Sequence, residues 1–126
     1  MSERSVRRFS DNPKAEFRAL QIWQILICVA VNRQTITYKR LADDIWHGKG
    51  AGVLANSLGH VAFYCIQNKL PPLTALVVNA KTGLPGDGIP VEESLSKREK
   101  VFAFDWFDVI PPIPEDLGAA AKEGRE

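Results

Sequence analysis

Ile36-Thr37-Tyr38-Lys39-Arg40-Leu41-Ala42-Asp43-Asp44-Ile45-Trp46-His47-Gly48-Lys49-Gly50 is the stretch whose reading decides the fold. Thr37 is a helix-capping residue type, and Tyr38, Leu41, Ala42 and Ile45 fall at i, i+3, i+4, i+7, the signature of a short amphipathic helix. The glycines at 48 and 50 end that helix and let the chain reverse. A second helix is expected from about Ala51 to Asn68. Its core face is Leu54, Leu58, Val61, Ala62 and Cys65, and its polar stripe is Asn56, His60, Tyr64 and Gln67. Two helices joined by a tight glycine turn predict a helix-turn-helix.

Downstream, Leu70-Pro71-Pro72-Leu73 cannot remain helical, because proline lacks the amide proton and forces its predecessor into extended backbone. The run Thr74-Ala75-Leu76-Val77-Val78-Asn79 then predicts a buried strand. Leu84-Pro85-Gly86-Asp87-Gly88-Ile89-Pro90 is expected to form the tip and brief return of a β-wing. Upstream, Asn12-Pro13 predicts an N-cap and first position for a helix reaching about Asn32, whose apolar second half is expected to be buried nearly all round. Beyond the wing, Glu92 and Glu93 mark another helix start, and Leu95, Phe102, Trp106 and Val109 predict an aromatic helix reaching about Phe107.

The expected fold is therefore α+β, mainly helical: a winged-helix-like helix-turn-helix with a short wing and flanking N- and C-terminal helices. Residues 1–12 read as a mobile basic arm carrying Arg4, Arg7 and Arg8, residues 13–110 as one domain, and residues 111–126 as a flexible tail. Composition is ordinary for a globular chain, 45% hydrophobic and 25% charged. The longest apolar run, residues 25–31, is far short of the roughly 20 residues of a membrane span, and no apolar signal region opens the chain. A cytoplasmic protein without membrane contact is expected. Net charge is only +1, but residues 1–82 hold eleven bases against five acids and residues 83–126 hold five against ten. That asymmetry hints at polyanion contact through the basic part.

The motif layout is one in which the second helix enters the major groove. Lys39, Arg40, Lys49, Lys81 and the arm Arg4, Arg7 and Arg8 are the candidate phosphate contacts, and Asn56, Ser57 and His60 the candidate base contacts. The second helix carries no arginine or lysine, so binding mainly through the DNA backbone is expected. Enzyme chemistry finds no foothold. Cys28 and Cys65 lie in apolar patterns without a base at helical spacing, and Asp43-Asp44 are adjacent and diverge on a helix. His47 and His60 lack metal-ligand neighbours, and the glycines at 48, 50 and 52 lack the Lys-Ser/Thr of a phosphate loop. No catalytic residue, metal or cofactor is expected. An alternative is a protein-interaction module, with a partner or self-association surface on Phe102, Phe104, Trp106 and Phe107.

Ile36-Thr37-Tyr38 with Leu41-Ala42, then Ser57-Leu58-Gly59, Asn68, and Val77-Val78 before Gly83, resembles the DNA-binding C-terminal domain of alkylguanine-DNA alkyltransferases and the alkyltransferase-like proteins. The likeness spans roughly residues 22–88. It implies that Tyr38 stands where the family's backbone-contacting tyrosine stands. It also places Asn56 at the family's arginine finger and Leu73-Thr74-Ala75-Leu76 at its reactive Pro-Cys-His-Arg motif. The resemblance thus implies the fold and a DNA surface, while the missing thiol and histidine exclude alkyl transfer.

Overall fold

A computed structural model describes residues 6–11, 13–48, 51–83 and 91–125. Among these residues the chain is mainly helical: α1 (Ala15–Val31), β1 (Ile36–Thr37), α2 (Tyr38–Trp46), α3 (Ala51–Gln67), a 3-10 turn (Leu73–Leu76), β2 (Val77–Val78), α4 (Val91–Ala103), a second 3-10 turn (Trp106–Asp108) and α5 (Pro114–Gly124). β1 and β2 pair in parallel, Ile36 opposite Val77 and Thr37 opposite Val78.

Helix α1 is the centre of the core. Ala19, Ile22 and Leu26 are fully buried, with Trp23 and Ala30 nearly so, and the helix packs on α3, α5 and the first 3-10 turn. It begins at Ala15 with Lys14 as N-cap, two residues later than expected from Asn12-Pro13, and Asn12 itself lies outside the described residues. Its second half is not buried all round: Cys28 and Val31 are exposed and Ile25, Ile27 and Val29 half-buried among the described residues. Cys28 therefore does not pack as an interior hydrophobe.

The two long helices end alike. Asn32 and Asn68 donate side-chain amides to the carbonyls of Cys28 and Tyr64, and Arg33 and Lys69 then take left-handed backbone at φ 54 and 55. Gln34 N–H to Val29 O and Leu70 N–H to Cys65 O, both 2.9 Å, close the ends and satisfy carbonyls that the helices leave orphaned. Helix α2 has the expected span. Thr37 Oγ1 accepts from Arg40 N–H at 3.0 Å, and His47 and Gly48 reverse the chain at φ 54 and 85.

Three expectations are corrected. The strand expected over residues 74–79 shrinks to Val77–Val78, since Leu73–Leu76 coils into a 3-10 turn whose Ala75 N–H returns to Pro72 O. Its partner is the strand just before α2 and the pairing is parallel; the expected tip and return at residues 84–90 lie outside the described residues. The aromatic helix stops at Ala103, because Asp105 caps a separate 3-10 turn by accepting from Phe107 N–H. This turn aims Trp106 inward: its indole donates to Val101 O at 2.8 Å and meets Trp23 edge-on, with ring centres 5.9 Å apart.

The third correction concerns the tail. Residues 114–124 are helical, with Pro114 at the first position and the Asp116 carboxylate accepting from Ile113 N–H at 3.1 Å. Leu117, Ala120 and Ala121 are buried, and α5 packs on both α1 and α3. Spacings of three and four among small apolar residues turn a charged, alanine-rich sequence into a docked helix. Residues 6–11 are likewise not a wholly free arm. Phe9 meets Phe17 edge-on at 6.4 Å, and the Arg18 guanidinium lies 3.5 Å over the Phe9 ring.

A docked α5 predicts a measurable cost for emptying its anchor. Leu117→Ala should lower unfolding free energy by about 2 to 5 kcal/mol in urea titration. A fraying tail would leave the midpoint unchanged.

Candidate nucleic-acid interface

Tyr38 opens α2 half-buried against the core, at the mouth of a cavity described below. The two cations that follow it are paired along the same helix. Lys39 Nζ lies 2.6 Å from Asp43, and Arg40 Nε 3.0 Å from Asp44. All four side chains are well exposed, so the pairs add little stability, but they reduce the local positive charge offered to a phosphate. They also explain the adjacent aspartates, each of which serves a different cation one turn earlier.

Helix α3 is held from two sides. On the α1 side, Ser57 is 2% exposed with Oγ 3.3 Å from Ala15 O, and the Tyr64 ring stands edge-on to Trp23 at 5.6 Å. On the other side lies α5. Gln67 donates to Ala120 O at 2.8 Å, and Arg125 donates to Asn56 Oδ1. At Gly124 an added Cβ would stand 2.3 Å from the Phe63 ring, so only glycine allows this approach. His60 is 5% exposed, its Nδ1 2.8 Å from Asn56 O.

Two of the three candidate base contacts are therefore interior, whereas of the polar stripe only His60 is buried, with Tyr64 half-buried and Asn56 and Gln67 exposed. Ser57 and His60 are buried hydrogen-bonding residues of the helix packing, and only Asn56 of the three candidate base contacts is exposed. The exposed positions of α3 are Gly52, Val53, Ala55 and Asn56 near its start and Ile66 and Gln67 at its end, with Gly59 half-open between them.

Lys81 is exposed on a turn held by two local bonds, Lys81 N–H to Asn79 Oδ1 and Gly83 N–H to Asn79 O, both 2.8 Å. Arg98 of α4 fastens this turn by donating to Gly83 O at 2.8 Å. Lys49, Arg4 and Asp87 lie outside the described residues. The structure thus brings Tyr38 and Lys39 together on one rim, with Asn56 around α3 from them and Lys81 on a separate turn.

Sequence reasoning missed Arg125. It bonds Asn56 and lies 4.0 Å from where a Cβ on Gly59 would stand, so a cation reaches α3 from the end of α5. The signal available was the capping of α5, with Pro114, Glu115 and Asp116 in its first turn.

The expected partner surface is also redrawn. Trp106 is buried, Phe102 and Phe104 are half-buried against the core, and only Phe107 of the four is exposed, at 78%. Ile110 and Ile113, at 87% and 55%, continue that apolar edge.

Between α2, α3, the first 3-10 turn and α4 lies a cavity of about 750 Å³, within the range of ligand pockets. Thr74 and Ala75 line it. Comparison of the chain with protein-family models, curated proteins and solved structures gave no match. Among the described residues no group of three or more His, Cys, Asp or Glu could hold a metal ion, and no helix is long and apolar enough to cross a membrane.

Cys65 is not an activated nucleophile by its surroundings. Burial pushes the Cys65 thiol up from 9.0 to about 11, only partly offset by a backbone hydrogen bond at Leu73. Burial, with Asp116 and Cys65 nearby, also raises Tyr64. Both groups are neutral when protonated, so the native state holds its protons where the unfolded chain has lost them. The contribution is fully present below about pH 9 and is lost as pH rises toward 11. Thermal melts should show stability falling across that window, by up to about 2 to 3 kcal/mol from the thiol. Cys65→Ala should flatten most of the slope; an unchanged slope would place the effect elsewhere.

Proposed function

We propose that this chain is a non-enzymatic DNA-binding protein of the winged-helix-like kind its sequence resembles, gripping the duplex mainly through backbone contacts. The observation that carries the reading is Arg125 beside Asn56 and Gly59, which gives α3 the cation its own sequence lacks. Gly52 and Ala55 leave the open edge of α3 low enough for a sugar-phosphate strand to approach closely. Tyr38, Lys39 and Arg40 flank that edge from α2. Phosphate contacts of this sort position a protein on DNA without reading bases, and they bind in a salt-dependent way.

Fluorescence anisotropy with a labelled duplex tests it. Binding should weaken steeply with added salt, and Arg125→Ala should lower affinity and reduce the salt slope by about one. Asp43→Asn should do the reverse and tighten binding, because it releases Lys39 from its intrahelical partner. Absence of duplex binding at low salt would overturn the proposal.

A second reading has its own support in the apolar edge of Phe107, Ile110 and Ile113, which suits a protein-interaction module. Under that reading Phe107→Ser should abolish self-association in equilibrium sedimentation, or partner capture, while leaving the melting temperature unchanged.

A further inference from the structure

The cavity beside α3 has features that duplex binding does not use. Its walls are mostly apolar, with Ala42, Leu54, Leu58, Ala62 and Ala75 among them, and one polar group stands out. Ser94, a lining residue 1% exposed, has a hydroxyl with no hydrogen-bond partner among the described residues. A buried unpaired hydroxyl is costly, and native proteins retain few of them. Ser94 lies three residues before Lys97, which also lines the cavity, so the two are neighbours on one face of α4. The Lys97 ammonium pairs with Glu93 at 3.0 Å, and Lys39 on the α2 rim with Asp43. An ammonium has three donors, so each pair leaves donors for a ligand.

We propose that this cavity binds a free small molecule with an apolar body and a single carboxylate. The body fills the space among Leu54, Leu58, Ala62 and Ala75. One carboxylate oxygen accepts from the Ser94 hydroxyl and the other from Lys97, whose long side chain starts one turn further along the same face of α4. Lys39 lines the cavity beside its partner Asp43, and with Lys97 the two ammonium groups outnumber that one lining carboxylate, which favours an acid over an amine. This assignment goes beyond duplex binding and does not depend on it.

Amide chemical shifts of the isotope-labelled full chain, titrated with 4-phenylbutyrate and separately with 4-phenylbutylamine, test the assignment. The acid should shift the amides of Ala42, Ala62 and Ala75 saturably, and the amine should not. Ser94→Ala and Lys97→Gln should each weaken the acid by about tenfold, as expected for a lost hydrogen bond to a charged group. Ser94→Ala removes only an unpaired hydroxyl, so its melting temperature should stay level or rise; Ala75→Phe, which fills the cavity, should abolish the shifts. The proposal is overturned by no saturable shift at millimolar acid, by shifts mapping away from the cavity, by an amine that binds as well as the acid, or by an unchanged affinity in Ser94→Ala.

Discussion

Helix α3 is clamped between α1 and α5, and most of what this protein can present to a partner follows from that clamp. The α1 side is secured by Ser57 against Ala15 and by the Tyr64–Trp23 ring contact. The α5 side is secured by Gln67, by the Gly124 approach to Phe63 and by Arg125 on Asn56. A helix so enclosed cannot offer the broad polar face of a free recognition helix. Near its start it exposes Gly52, Val53 and Ala55 beside Asn56, which Arg125 reaches from the end of α5, and Ala55 also lines the cavity.

The same clamp redistributes charge. The α3 sequence is devoid of cations, and those of α2 are matched one for one by aspartates four residues on. Arg125 is therefore significant for its position, because its own local partner is an uncharged amide. Arg18 illustrates another use of a cation: it lies over Phe9 and 5.6 Å from Trp46, where its role is to pack. Burial lowers its pKa, as packing among aromatic rings implies.

Elements whose stability is local were legible in the sequence. Thr37, the 3-4-7 spacing of α2 and the left-handed turn at His47–Gly48 act within a few residues, and the structure keeps their expected span. Elements decided by tertiary contact were not legible. Leu73–Leu76 is apolar enough for either strand or turn, and the turn prevails where Pro72 supplies an acceptor for Ala75 N–H. In α5 one leucine, Leu117, and two alanines, Ala120 and Ala121, are buried, so the helix depends on matching surfaces of α1 and α3 that no local pattern announces. Ser57 and His60 were misplaced for the same reason: the sequence of one helix says nothing of the elements that will cover it. The cavity was invisible altogether, since its walls come from four segments far apart in the chain.

The cavity and the open edge of α3 share a border, and this has a thermodynamic consequence. Lys39 and Gly59 line the cavity, while Lys39 also flanks the edge and Gly59 lies beneath Arg125. An anion held near Lys39 would weaken that residue's attraction for a phosphate, and a bound phosphate would weaken its attraction for the anion by the same factor, because coupling between two binding equilibria is reciprocal. Screening within about a Debye length confines the effect to groups this close together. If both sites are occupied in solution, their competition is therefore set by Lys39 and its partner Asp43, both of which line the cavity.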